Sequence, residues 1–122
     1  MPKLVEVPTF KDERGDLSVI ENILPFSIKR VFYIYNASSK KRGGHRHYKT
    51  IQAVICVHGE CTIYVNNGKS EREFHLENPT QCLILFPEDW HTMNSFKNDV
   101  VLVVLASEIY DPKDYIQEEY HD

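Results

Sequence analysis

Along most of this chain, short runs rich in Val, Ile, Tyr and Phe alternate with clusters of turn residues. FSIKRVFYIYN (26–36), TIQAVICV (50–57), ECTIYV (60–65), EREFHL (71–76), CLILFP (82–87) and DVVLVVLAS (99–107) read as β-strands. In TIYVNNGKSEREF, the pair Asn67-Gly68 predicts a tight hairpin turn. Gly59 in VHGEC predicts another, and Pro79 and Pro87 punctuate the later strands. The segment DPKDYIQEEY (111–120) has room for one short helical turn. Many short strands predict an all-β antiparallel sandwich or barrel. No solenoid-type repeat, low-complexity linker or composition break interrupts the pattern, so residues 1–122 are read as one domain.

The runs QAVICV and VVLVVLA are apolar on both faces. One face packs a core, and a second subunit is the simplest cover for the other, so a homodimer is expected. Of the 122 residues, 42% are hydrophobic and 26% charged, ordinary proportions for a globular chain. A formal net charge of −4 argues against nucleic acid as the main partner, which calls for a basic field. No apolar run approaches the roughly 20 residues that span a bilayer, and MPKLVEVPTFKDERG lacks a signal peptide's apolar centre. A cytoplasmic location follows. Three cysteines without a CxxC spacing fit neither a disulfide framework nor a zinc knuckle; Cys56 and Cys82 sit in apolar runs as small buried hydrophobes.

The chemistry-bearing stretch is GGHRHYKTIQ (43–52). In a strand, an His-x-His pair places both imidazoles on one face. Together with His91 in PEDWHTMN (87–94), the elements Gly44, His45, His47, Gln52 and Gly59, then Pro87, His91 and Asn94, resemble the two-part cupin signature. That resemblance implies a cupin jelly roll, a double-stranded β-helix whose mouth is a small-molecule pocket. Strict alternation from His47 sends Gln52 to the opposite face, so its joining the histidines requires a bulge. Metal-binding cupins supply a glutamate where this chain has Gln52, and an amide offers no charge to offset a divalent ion. The reading is therefore metal-free and cofactor-free proton transfer by imidazoles, which titrate near pH 6.5. Tyr33 and Tyr35 share a face of a neighbouring strand and offer a phenol to the relay.

DERGDLSVIE (12–21), PFSIKRVFYIY (25–35), RGGHRH (42–47), the NNG hairpin (66–68), PEDWHTM (87–93), LVVLAS (102–107) and YDPKDYIQEEY (110–120) together resemble the cupin-type dTDP-4-keto-6-deoxyglucose 3,4-ketoisomerases. The resemblance implies a cytoplasmic dimer, often with exchanged N-terminal strands, acting without metal on a dTDP-linked 4-keto-6-deoxyhexose. The product is the 3-keto isomer, an intermediate toward 3-amino-3,6-dideoxy sugars of lipopolysaccharide and other glycans. It also implies catalytic roles for Tyr33, His45, His47 and His91. Arg46 and Tyr48-Lys49 depart from the family's usual pattern, and Glu13, just before Arg14, occupies a position that bears on the product's C4 configuration. For the diphosphate, Arg14 and Arg30 are the leading candidates, ahead of Lys29 and Arg42. Gln52, Tyr35 and Trp90 are candidates for the sugar and base, Trp90 as an aromatic wall. Competing readings are a nucleotide-sugar 3,5-epimerase, a metal-dependent cupin oxygenase and a non-catalytic sugar-binding cupin.

Overall fold

The computed structural model describes residues 1–121. Its strands are β1 (Lys3–Glu6), β2 (Thr9–Asp12), β3 (Gly15–Ser18), β4 (Arg30–Ile34), β5 (Arg42–His47), β6 (Gln52–Asn66), β7 (Glu71–Leu76), β8 (Gln81–Leu85), β9 (Trp90–Ala106) and β10 (Tyr115–Ile116). One 3₁₀ turn, Pro112–Asp114, precedes β10 where a short helical turn was expected. β6 and β9 pair antiparallel from Gln52 opposite Ala106 to Asn66 opposite Trp90, and each serves two sheets. Where β6 begins and β9 ends, the strand order is β1-β8-β6-β9-β4. Towards their other ends it is β7-β6-β9-β5-β10. Two antiparallel sheets sharing long bent strands make the expected cupin-type jelly roll. β2 and β3 form a separate two-stranded hairpin.

The bend differs from the expected turn at Gly59. TIQAVICV and ECTIYV are one strand, whose register against β9 shifts repeatedly between Cys56 and Thr62. Gly59 takes φ +72°, and facing it Ser95, Asn98 and Asp99 also have positive φ. Each bulge adds local twist, so the ladder turns the corner without ending. The NNG hairpin forms one residue later than expected: Asn67 and Ser70 flank the loop Gly68–Lys69, with the Asn67 amide 3.2 Å from the Ser70 carbonyl. Asn67 Oδ1 accepts from the Lys69 and Ser70 amides.

Strand alternation sorts the apolar residues into two layers. Val54, Cys56, Ile63, Val65, Leu83, Leu85, Leu102 and Val104 fill the space between the sheets. Ala53, Ile55, Cys82, Ile84 and Leu105 face outward, beneath Ile20, Ile23, Leu24 and Phe26. The second apolar face predicted from QAVICV and VVLVVLA is therefore covered by the chain's own segment between β3 and β4. Among the large apolar and aromatic groups that stay exposed are Phe10 and Leu17 on the β2–β3 hairpin, Val31 and Tyr33 on the outer face of β4, and Tyr35 just past its end. All three cysteines are buried and unpaired.

A methyl group at Gly59 would lie 2.8 Å from the Asn98 carbonyl oxygen and 2.8 Å from Val100 Cα, both backbone atoms of β9. Gly59→Ala therefore loses about 2–3 kcal/mol of stability through overpacking and left-handed strain. Urea unfolding of the variant checks this.

Candidate active site

Two glycines set the register of the site. Gly43 and Gly44 both hold φ +84°, a conformation costly for any residue with a Cβ. Between Gly43 and His45 the pairing with β9 slips, so Gly43 faces Thr92 while His45 faces His91. Gly43 also lies so close to β9 that a Cβ there would be 2.9 Å from the His91 carbonyl oxygen. Beyond this bulge, His45 and His47 project to the same interior side as His91. Ring centroids are 5.1 Å apart for His45–His47, 5.1 Å for His45–His91 and 6.4 Å for His47–His91.

β10 adds a fourth ring. Tyr115 pairs with His47 and Ile116 with Arg46. The Tyr115 ring stands 4.7 Å from that of His45 and 4.8 Å from that of His47. Arg30, on the inward side of β4, reaches 3.5 Å from the Tyr115 hydroxyl and stacks over Phe32 and Tyr110. Asp114 secures this strand: its carboxylate accepts from the Tyr48 and Lys49 amides, at 3.1 and 2.9 Å, and from the Thr50 hydroxyl. On the other side, the His47 amide donates to the Pro87 carbonyl at 2.9 Å.

Burial keeps these imidazoles neutral near pH 7. It pushes His47 down to about 4, helped by His45 and Arg30 and opposed by the Asp114 carboxylate. His91, fully enclosed, falls to about 3 for the same reason, with a contact from its Nδ1 to the Asp89 carbonyl (3.0 Å) acting the other way. His45 is lowered by burial too. At Asp114, burial is outweighed by the Thr50 and backbone hydrogen bonds and the nearby His47, so its carboxyl stays below the usual range. His47 Nε2 is buried and has no hydrogen-bond partner among the described residues. This nitrogen, beside two other imidazoles, is left unused by the chain's own hydrogen bonds.

Of the residues singled out from the sequence, the structure brings His45, His47, His91 and Arg30 together. Gln52 is buried on the interior face of β6, in line with Val54. The turn 48–51 resets the alternation after His47, so no bulge between them is needed. Tyr33 is not beside the imidazoles: Phe32 and Ile34 take the inner side of β4, which sends Tyr33 outward, 64% exposed and stacked on Tyr35. Tyr35 lines a surface cavity of about 340 Å³ with residues at the bent corner, and none of the imidazoles borders it. Trp90 adjoins His91 in sequence and so faces the opposite way, packed on Tyr64 and donating from its indole to the Gln117 carbonyl at 3.0 Å. Arg14 is exposed on the β2–β3 turn, paired with Asp12 at 2.6 Å. Within one chain, then, Tyr33, Tyr35, Trp90 and Arg14 lie apart from the histidine group.

Arg46 points away from the site as expected from its position between the two histidines, and stacks over Tyr120. Tyr115 and Asp114 are the site residues that sequence reasoning missed. Their signal was the YDPKDYI segment itself, in which Asp114 and Tyr115 follow a Pro-marked turn. As for metal ligation, the donor set drawn within 4.8 Å among the described residues is Glu60, His75 and Glu77 at the surface, rather than the imidazole trio. There His75 Nε2 lies 3.2 and 3.4 Å from the two carboxylates.

Comparison with known proteins bears on the same arrangement. The family described as "FdtA: WxcM-like, C-terminal" matches residues 1–122. The TDP-4-oxo-6-deoxy-alpha-D-glucose-3,4-oxoisomerase of Aneurinibacillus thermoaerophilus is 39% identical over 119 residues, which is 95% of this chain and 86% of that protein. A 3,4-ketoisomerase from Helicobacter canadensis superimposes with a TM-score of 0.91 at 33% identity, covering 96% of this chain and 90% of its own. QdtA, a 3,4-ketoisomerase of Thermoanaerobacterium thermosaccharolyticum, gives 0.92 at 37% identity and coverages of 96% and 87%. In that structure an asparagine replaces a histidine and TDP-4-keto-6-deoxyglucose is bound. With a match along its whole length and these relatives in sequence and structure, the chain belongs to the FdtA family of sugar 3,4-ketoisomerases.

Proposed function

We propose that this isomerase converts dTDP-4-keto-6-deoxyglucose into its 3-keto isomer, with His45 and His47 moving the carbon-bound protons. The observation that carries the reading is the pair of neutral imidazoles on one wall, 5.1 Å apart, one of them with a buried nitrogen that has no partner among the described residues. The 4-ketone acidifies the hydrogen on C3. One imidazole removes it, leaving an enediolate across C3 and C4, and a proton is returned at C4. The ring that takes the C3 proton becomes an imidazolium, and that same proton, given back directly or through the neighbouring ring, is the one delivered at C4, so both imidazoles end neutral. When His47 becomes an imidazolium, the Asp114 carboxylate favours the charged form. His91 backs His45, ring against ring, and holds the base wall in place. Of the substrate-binding candidates, Arg30 and Gln52 face the interior. Arg14 approaches a diphosphate only as part of a larger assembly.

Such an assembly is part of the proposal. The aromatic and aliphatic groups left bare on the β2–β3 hairpin and on β4 (Phe10, Leu17, Val31, Tyr33 and Tyr35) form the surface for a homodimer. In that arrangement Tyr33 and Arg14 act from or against the interface. A cytoplasmic setting agrees with three unpaired buried thiols, and no helix is long and apolar enough to cross a membrane. The 3-ketone formed is the group that an aminotransferase needs for a 3-amino-3,6-dideoxy sugar.

NMR of the product from dTDP-4-keto-6-deoxyglucose tests the assignment: the carbonyl moves to C3 with C5 unchanged, whereas inversion at C3 and C5 would identify an epimerase. His45→Asn and His47→Asn each lower the rate at least about a hundredfold. A variant carrying both changes that still turns over at the native rate removes the mechanism. Because the base works as a neutral imidazole and is lost only on protonation, the acid limb of kcat/KM lies below the ordinary imidazole value of 6.5, and near pH 4 where His47 is the base. A limb centred at the ordinary imidazole value contradicts this. Light scattering on a sizing column gives a dimer at micromolar concentration, and a monomer there overturns the interface.

A further inference from the structure

On the outer face of the second sheet, strand alternation gathers nitrogen and oxygen donors that the imidazole wall does not use. In β7, Phe74 and Leu76 turn inward to the core, so His75 and, just past the strand's end, Glu77 turn outward. In β6, Cys61 and Ile63 are the buried pair, so Glu60 and Thr62 share the outer side. The register sets Thr62 opposite His75 and Cys61 opposite Leu76, which leaves Glu60 beside Glu77. Two neighbouring strands thus present His75 and Glu77 on one side, Thr62 and Glu60 on the other.

We propose that Glu60, His75 and Glu77 form a binding site for one divalent transition-metal ion, zinc by preference, which clips the edge strand β7 to β6 beside the bent corner. Their donor atoms lie within 4.8 Å of one another. His75 Nε2 stands 3.2 Å from Glu60 Oε1 and 3.4 Å from Glu77 Oε2. Zinc held tetrahedrally at roughly 2.0–2.1 Å spaces its ligands about 3.3–3.4 Å apart, so that spacing is already present around the imidazole. One imidazole with two carboxylates suits zinc, and water completes the fourth position. The same set has too few oxygens for calcium, and its nitrogen disfavours magnesium. The imidazole is also what sets this group apart from ordinary surface carboxylates.

The ligands are held from behind. Thr62 Oγ1 lies 3.5 Å from His75 Nδ1, the ring nitrogen not turned to the carboxylates. A hydroxyl accepting there fixes the tautomer that leaves the Nε2 lone pair for a metal. Asn98 Nδ2 donates to Glu60 Oε2 at 3.3 Å. Asn98 belongs to the corner of β9, where its φ is positive, so an ion here ties β7 and β6 to the bulged segment. Lys97, opposite Glu60 in that ladder, is exposed and makes no ion pair with it among the described residues. The competing occupant is a proton. On His75 it offsets one of the two carboxylate charges and gives a solvent-exposed ion pair of little consequence. A divalent ion offsets both.

Zinc titration of chelator-stripped protein by calorimetry, on the unmodified chain and His75→Ala side by side, tests the site. The unmodified chain should bind one zinc ion more than the variant, with a Kd tighter than roughly 30 µM. Any zinc taken up by the imidazole wall is common to both and cancels. Glu60→Gln should weaken the extra ion at least about tenfold, and zinc should raise the melting temperature of the unmodified chain more than that of His75→Ala. Glu77→Gln repeats the comparison should either variant lose its fold. Equal stoichiometry in the unmodified chain and His75→Ala overturns the proposal. So does an extra ion held more weakly than that Kd, or one that Glu60→Gln binds as well as the unmodified chain. None of these readings depends on turnover of a sugar.

Discussion

Because β6 and β9 stay hydrogen-bonded through a bulged corner, both sheets are built from the same two strands. This continuity fixes the geometry at either end. One end packs Leu102 and Val104 against Val54, and the other sets His91 at the start of β9, opposite His45 on β5. A corner made by bulges preserves the ladder where a loop would have broken it. The histidine wall therefore inherits the rigidity of the barrel, as accurate placement of reacting groups requires.

Enclosure gives the wall its chemistry. Surrounding imidazoles with protein removes the water that would solvate a charge, so all three stay neutral without any special hydrogen bond. Asp114 works against this trend at His47, as the Asp89 carbonyl does at His91, and at both rings burial prevails. The acidic chain as a whole thus builds a neutral basic wall with one guanidinium beside it, a setting suited to an anionic intermediate.

The architecture was largely legible from alternation and turn residues. β7 runs from Glu71 to Leu76, where EREFHL had been read as a strand. The joining of runs into β6 and β9 was not legible, because a glycine with positive φ marks a turn and a bulge alike. The His-x-His spacing placed two rings on one face, and the later histidine fell beside them. Parity was the harder problem. KRVFYIY is apolar on both sides, so the pattern shows that Tyr33 and Tyr35 share a face without showing which face points inward; the packing of Phe32 and Ile34 decides it. For Trp90 the rule was available, since it neighbours His91 along a strand and must point the other way. Tyr115 was hidden for a different reason: a two-residue strand has no period to read, and only pairing with β5 reveals it.

The tail after β9 also covers the outside of the second sheet. The Trp90 indole donates to Gln117, the Arg46 guanidinium to Glu118, and the Tyr120 hydroxyl to the Glu88 carbonyl at 2.7 Å. It follows that Asp114 and Tyr115 reach the site only after β1 to β9 have been threaded through the ribosome's exit. A nascent chain can close its jelly roll and align three histidines while still lacking the phenol.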